Sequence, residues 1–450
     1  MKEKMLYIGK RKITRLGFFG LGRSNSALAG YIKENYPEVR LILRADAEDA
    51  SDIPKCFDAV YCGRDAARDM CEDALMLSPS VRADRTELLA AKAKGVLITS
   101  ETEFFFERYP GECFAISGSD GKSTTTTLTA LLLLERFHGA MAVGNIGTPL
   151  TLGLSAPAVA AELSSFQLMD TRPRSTRAVI TNITKNHLNW HKDYEEYKAS
   201  KENLYKNAAE RVFNYDCPES VRLSKKYGAF AITSTRHCEE DLRELIRAEV
   251  YITLRDGYIC ANGERLVELT RIRLCGEHNL KNLMSAVALT FGYVSRAHIC
   301  EVAESFAGLA HRNELIGTYG GVRYYNSSID SSPTRTITTL GAHPSGITLI
   351  LGGKSKGLDY SPLGPILEAK ARVVIIVGEN REEILSAIGG CNIDIRCRDS
   401  LYDAVRLASE ITECGGEVLL SPASTSFDAF KDYRERGEAF TKFVKEIHSK

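Results

Sequence analysis

The chain has 450 residues, 44% hydrophobic and 26% charged, the balance of a globular protein with ample core and more than one domain. Lysine plus arginine equals aspartate plus glutamate at 58 each, so no global field recruits nucleic acid or anionic lipid. The twelve cysteines are scattered without a CxxC pair, the N-terminus shows no cleavable apolar signal, and the longest aliphatic run is LTALLLL; these point to reduced thiols in the cytoplasm and exclude membrane insertion.

From residue 14, TRLGFFGLG reads as a strand breaking into a glycine turn, and SNSALAGYIKENY follows with helical spacing. LILRAD, AVYCG, ALMLSP and GVLITS continue as short strands with helical segments between them, which predicts a parallel sheet covered by helices. This first domain is assigned to residues 1–110, ending at ERYPGE. The second, residues 111–315, opens on the strand CFAISG, passes through GSDGKSTTTT into a helix, and adds the strands VAAELSS and AVITNI. RVFNYDCPESVRL and RDGYICANGERL are polar and less regular, as in a strand-and-turn appendage; EHNLKNLMSAVALTFGYV is a helix by its three- and four-residue apolar spacing. The third domain, residues 316–450, alternates the strands VRYYNSS, ITLILGG, ARVVIIVG and GEVLLSPAS with helices such as LYDAVRLASEIT. The fold class is α/β, three domains each built on a mainly parallel sheet, with ligands in the clefts.

GSDGKST is the sharpest local signal. A strand, a tight glycine loop and a helix start aim backbone N–H groups and the positive end of the helix dipole at one spot. Gly118, Ser119, Asp120, Gly121, Lys122, Ser123 and Thr124 are therefore assigned to an anion site for nucleotide phosphates. Lys122 adds a mobile positive charge, and the Ser123 or Thr124 hydroxyl can ligate Mg2+. A plain glycine turn with hydroxyl capping explains the composition but not the strand before and the helix after. The loop is shorter than the general phosphate-loop pattern, with Ile116 where the first glycine would stand.

This short form resembles the GTNGKST loop of the Mur ligase and folylpolyglutamate synthase superfamily, whose members couple ATP cleavage to amide formation. The resemblance runs along the whole chain and is closest to the D-glutamate-adding Mur ligases at ELSSFQL (162–168). It implies Glu162 as a Mg2+ ligand and Ser164, Ser165 and Gln167 against the muramoyl substrate. VGNIGTPL resembles the family's GGNIG turn, implying Asn145 on substrate; NITKNHLNWH implies His187 as a second metal ligand, with Asn189 in place of the usual aspartate. YKASKENLY implies that Lys201 is carbamylated by CO2 and organises Mg2+, although alone it reads as an exposed helical lysine. GEHNLKNLMSA implies Asn279 and Asn282 near the adenine, and GLAHRNE implies Arg312 near the phosphates. LGGKSKGLDYSPL implies Lys356 facing the incoming amino acid, and LLSPASTSFDAFKDYRERGEAF implies Ser426, Phe427 and Tyr433 in its carboxylate pocket. GFFGLGRSNSA looks like the family's UDP-binding turn, implying Gly22, Arg23 and Ser24 on the UDP group, with Arg44 and Asp46 facing the uridine and its ribose. A dinucleotide site is the rival there, weakened by Asn25 at the third glycine position.

One segment departs from the family. Residues 326–332 read NSSIDSS where better-known members carry NDSKATN, so Ser327 and Ile329 replace an aspartate and a lysine, and Asp330 and Arg335 are the candidates to supply the lost charges. The resemblance implies Rossmann-like terminal domains around a phosphate-loop ATPase-like central domain. It implies a monomeric, ATP- and Mg2+-dependent ligase joining D-glutamate to UDP-N-acetylmuramoyl-L-alanine through an acyl phosphate. Another Mur ligase, a folylpolyglutamate synthase-like ligase and a nucleotide-binding regulator without turnover stay open at this point.

Overall fold

The apolar runs of the first hundred residues pair as a five-stranded parallel sheet. Its order across the sheet is Ala59–Cys62, Arg40–Ala45, Arg15–Phe19, Ala74–Leu77, Leu97–Ser100. The computed structural model describes residues 5–46, 53–274, 276–341, 343–355 and 357–449. Leu16, Phe18, Leu41 and Leu43 point from alternate strand positions into a core closed by Leu28, Ala29 and Ile32 of the helix Arg23–Asn35. A short hairpin, Leu6–Ile8 with Arg11–Ile13, precedes the sheet; the charged N-terminus gave no sign of it.

The second sheet has nine strands, and Glu112–Ser117 lies in its interior between Ala158–Glu162 and Arg174–Ile180. The polar stretch after residue 206 is more regular than its sequence suggests. Asn207–Asn214 and Ala231–Ser234 extend the parallel sheet, and Val250–Arg255, Tyr258–Ala261 and Glu264–Glu268 close it as an antiparallel meander. The helices Lys122–Leu133 and Glu277–Thr290 pack Leu128, Leu132, Leu283 and Val287 on one face of the sheet.

The third sheet has six strands in the order Glu314–Tyr319, Val322–Asn326, Glu417–Leu420, Ile347–Gly352, Ala371–Val377, Asp394–Cys397. Only its first pair is antiparallel. The long helix Tyr433–His448 buries Phe440 and Val444 against it. By density of contacts the chain forms two units, Met1–Phe306 with the first two large sheets and Ala307–Lys450 with the third.

A buried ion pair locks the first sheet. Arg44 Nε donates to Glu72 at 2.6 Å with both side chains nearly inaccessible (3% and 0%), and its guanidinium also donates to the carbonyls of Ala66 and Arg68. Removing one partner of such a pair strands a buried charge, at a cost of about 3–5 kcal/mol. Glu72→Gln should therefore lower the urea midpoint reported by the single tryptophan, Trp190, and Arg44→Met combined with Glu72→Leu should restore much of it. A wild-type midpoint for Glu72→Gln alone would refute the assignment.

Candidate active site

The chain leaves Ser117 at the carboxyl edge of the second sheet, where successive strands depart to opposite sides, the usual place for a ligand in an open α/β sheet. Gly118 (φ +148°) and Gly121 (φ +78°) turn it back to start the helix Lys122–Leu133. Both need glycine twice over. The conformations disfavour a side chain, and a Cβ on Gly118 would collide with Thr181 Oγ1, one on Gly121 with Asn282 Oδ1. The loop is braced from behind. Asn182 Oδ1 accepts the Asp120 N–H (3.0 Å), Thr181 Oγ1 donates to the Asp120 carbonyl (2.5 Å), and Ser119 Oγ meets the Tyr197 hydroxyl (2.7 Å) and the Thr184 N–H (2.9 Å). Lys122 Nζ folds onto the carbonyls of Gly118 and Ser119 at 2.9 and 2.8 Å. Ser123 and Thr124 occupy the first turn, where backbone N–H groups have no partner within the helix.

Below the loop lies Lys201, on the helix Tyr194–Lys206, buried to 2% exposure. Its Nζ donates to the Gly118 carbonyl at 2.7 Å and sits 4.9 Å from the Tyr197 ring centroid. Burial, with the charge of Lys122, pushes its pKa well below the ordinary lysine value, against the opposing pull of Asp120 and Glu162. The helical-surface reading of this lysine is thus overturned. Tyr197, Lys201 and Tyr205 recur every fourth residue and share one buried stripe.

Glu162 ends the strand Ala158–Glu162 at 1% exposure. One of its oxygens accepts from Asn145 Nδ2 (2.9 Å); the other, Oε2, is buried without a hydrogen bond among the described residues. An orphaned carboxylate oxygen beside a phosphate loop fits a divalent cation shared with phosphate oxygens. His187 is exposed at φ +53°, edge-on to Phe166 at 5.1 Å, and Ser123 is half-buried. Among the described residues no three His, Cys, Asp or Glu side chains gather as a metal cluster.

Ser164 caps the short helix Ser165–Leu168, and Gln167 accepts from the Ser164 N–H and hydroxyl, so ELSSFQ first of all builds its own turn. Ser165 Oγ is 3.0 Å from His191 Nε2. His191 is buried, which depresses its pKa, and its Nδ1 faces Glu196 at 3.5 Å. Glu196 is held down to about 2 by its hydrogen bonds to Arg82, which also donates to the Trp190 carbonyl. Trp190 stacks on Phe166 at 4.3 Å and donates its Nε1–H to the Ser80 carbonyl. Arg82, Trp190, His191 and Glu196 were missed by sequence reasoning; the signal was there in HLNWH and in the arginine after SPSV.

At the N-terminal turn Gly22 precedes the helix Arg23–Asn35, and Asn25 Nδ2 donates to the Gly20 carbonyl at 2.7 Å, closing the turn that a third glycine would otherwise shape. Arg44 is corrected here: its guanidinium is consumed by Glu72 and two carbonyls and does not face a ligand. Asp46 pairs with Arg85 at 2.8 Å. Asn279 and Asn282 stand at the start of the helix Glu277–Thr290, with Asn282 buried against Gly121.

In the second unit Arg312 is exposed, Ser426 is buried, Phe427 is 61% exposed and Tyr433 opens the last helix; Lys356 lies outside the described residues. Asp330 is spent on Ser421 and Thr339 (2.8 and 2.7 Å) and so does not replace the missing aspartate as a free charge. Arg335 is exposed and donates to the Ile329 carbonyl. The buried cation of this region is Arg436, which sequence reasoning missed.

Fold and loop together define an α/β protein with a phosphate-loop-type strand, glycine turn and helix at a sheet edge and a buried carboxylate on the neighbouring strand. A Mur ligase middle domain matches residues 116–290. The UDP-N-acetylmuramoylalanine--D-glutamate ligase of Acetivibrio thermocellus is 34% identical over 460 residues, 98% of each chain, and that of Ruminiclostridium cellulolyticum 35% over 97% of each. Among solved structures, the UDP-N-acetylmuramate-alanine ligase MurC of Thermotoga maritima superposes with a TM-score of 0.60 at 17% identity, over 97% of this chain and 100% of that one. That likeness concerns fold alone. The chain belongs to the Mur ligase family, among the relatives named UDP-N-acetylmuramoylalanine--D-glutamate ligase.

Gly121→Ala tests the loop directly. The added methyl meets Asn282 and a left-handed backbone, so ATP binding measured by calorimetry should fall at least tenfold, with the thermal midpoint lowered by the same strain while the chain stays folded. Undiminished affinity would mean that the phosphates sit elsewhere.

Proposed function

We propose that this ligase phosphorylates the carboxylate of UDP-N-acetylmuramoyl-L-alanine with ATP and joins the resulting acyl phosphate to D-glutamate, a cytoplasmic step in peptidoglycan precursor synthesis carried out by the monomer. The observation that carries the reading is the buried Lys201 amine, bonded to the phosphate loop and sharing its pocket with Glu162. A carboxylate oxygen attacks the γ-phosphorus and ADP leaves. The amine of D-glutamate, as free base, adds to the acyl carbon; the tetrahedral adduct expels phosphate and sheds one proton. Phosphorylation supplies the leaving group that a carboxylate lacks. Two anions must meet, so the loop N–H groups and Lys122 offset phosphate charge, with Arg312 as a further cation. Mg2+ held by Glu162 and phosphate oxygens, with Ser123 and His187 as further donors, would add to that neutralisation.

CO2 adds only to an unprotonated amine, and burial biases Lys201 to that form. Carbamylation would turn a cation into an anion beside Lys122 without moving the helix. Gly22, Arg23, Ser24 and Asp46 serve the UDP group, Asn145, Ser164, Ser165 and Gln167 the muramoyl part, Asn279 and Asn282 the adenine. Lys356, Ser426, Phe427 and Tyr433 serve the amino acid, within three working domains.

Lys201→Ala should lose more than about 99% of activity, a loss of the size given by removing a catalytic group, and regain part of it with millimolar acetate or propionate. Full activity without carboxylate would end the carbamate. Phosphate release from ATP should require both UDP-N-acetylmuramoyl-L-alanine and D-glutamate, tested across a panel of D- and L-amino acids. Release with a different acceptor amine would assign another ligase, and no release with ATP bound would assign a regulator.

A further inference from the structure

Ser327 and Ile329 leave the start of the third sheet without the charges found in better-known family members. The neutral residues hold a neighbouring loop instead. Asn326, fully buried at the end of Val322–Asn326, donates from Nδ2 to His311 Nδ1 (3.0 Å) and to the Gly437 carbonyl (2.9 Å). Ser327 Oγ accepts the Asn313 N–H at 3.1 Å, and the Ile329 N–H donates to the His311 carbonyl at 3.1 Å. The residue between these two anchors is Arg312, exposed. Both flanks adopt the left-handed conformation, His311 at φ +61° and Asn313 at φ +48°, which residues with side chains rarely take unless the surroundings impose it.

The Asn313 side chain is fixed in turn. Its Oδ1 lies 2.7 Å from His343 Nε2. His343 Nδ1 lies 2.6 Å from Glu417 Oε2, and Arg323 donates to the other oxygen of Glu417 at 2.8 Å. His343 and Glu417 are buried at 5% exposure each, and the imidazole stands edge-on to Tyr325 with ring centroids 4.7 Å apart. A continuous chain of polar contacts thus runs from the sheet, Arg323 to Glu417 to His343 to Asn313, and ends one residue from the exposed arginine.

We propose that Asn313 and His343 are positioning residues for Arg312: together with Ser327 and Asn326 they preset the backbone that presents its guanidinium to a phosphate group. This rests on the reading of Arg312 as the nucleotide-facing cation. An arginine on a slack loop gives up backbone freedom each time it binds, whereas one on a clamped loop has already lost it, so the clamp is worth affinity without touching the ligand. A carboxamide at residue 313 suits both tasks, because asparagine tolerates the left-handed region and its amide reaches the imidazole.

The test is a double-mutant cycle on the full chain, read as kcat/KM for ATP with the UDP substrate saturating. Asn313→Gly keeps the left-handed backbone free of strain while removing the carboxamide and loosening the backbone it clamps; it should lower kcat/KM for ATP about tenfold, as should His343→Leu, which leaves residue 313 unchanged, with KM for the UDP substrate within about twofold of wild type. His343→Gln, whose amide can still meet Asn313, should recover part of the loss. Arg312→Ala should cost about a hundredfold, and adding Asn313→Gly to it should change nothing further. Wild-type kinetics for Asn313→Gly, or losses that multiply in the Arg312→Ala background, would overturn the proposal while leaving the reading of Arg312 intact. Wild-type kinetics for Arg312→Ala would overturn that reading and the proposal with it.

Discussion

The burial of one amine organises the first unit. Lys201 Nζ is bonded to the Gly118 carbonyl, and the helix that carries it also supplies Tyr197 to Ser119, so a single helical stripe sets the shape of the phosphate loop. An ammonium placed there would be desolvated and would face Lys122, a combination that costs several kcal/mol unless the proton is given up. The neutral form, which burial favours, is the one that can react with CO2. The Oε2 of Glu162 is buried without a hydrogen bond among the described residues.

The loop and the turn at Gly20–Ser24 stand on different sheets of the first unit. The first and second sheets are tied at two places. Arg82 reaches the Trp190 carbonyl and Glu196, and Trp190 returns a hydrogen bond to Ser80. Glu101, fully buried, accepts from the N–H and hydroxyl of Thr151, just past the turn of Asn145. Burial raises the pKa of that carboxyl, and the bonds from Thr151 oppose the shift. Polar contacts of this kind are directional, so they fix orientation as well as separation.

Much of this was written in local strings. The glycine loop, the strand before it and the helix after it follow from spacing and backbone sterics, and the apolar runs of all three sheets coincide with observed strands. What stayed hidden is non-local. Arg44 stands at a strand end, as a ligand residue would, and only Glu72, 28 positions on, reveals it as internal. Asn207–Asn214 carries Asn, Glu and Arg among its eight residues; its neighbours on both sides, not its own hydropathy, make it a strand. Glu314–Tyr319 and Asp394–Cys397 are edge strands, half polar because one side has no partner strand. Lys201 is the instructive case, because its four-residue spacing from Tyr197 and Tyr205 put it on the buried stripe in plain sight. A charged residue at a core position of a helix is informative because it breaks the pattern of burial.

The neutral NSSIDSS segment raises the question of how an anionic amino acid is attracted without the lysine at residue 329. Arg436 is 3% exposed, and its guanidinium donates to Ser328 Oγ and to the carbonyls of Ser328, Ser424 and Thr425, all uncharged acceptors. Burial lowers its pKa to about 10, with the carboxylates of Asp428 and Asp330 acting at longer range, so it remains a cation at neutral pH. Thr425 and Ser424 immediately precede Ser426. The guanidinium therefore lies directly behind the turn Ser424–Ser426, fixed by four hydrogen bonds and in no salt bridge among the described residues. A charge fixed in low-dielectric protein acts over a longer range than a solvated one, so this region carries a permanent cation although residue 329 is isoleucine.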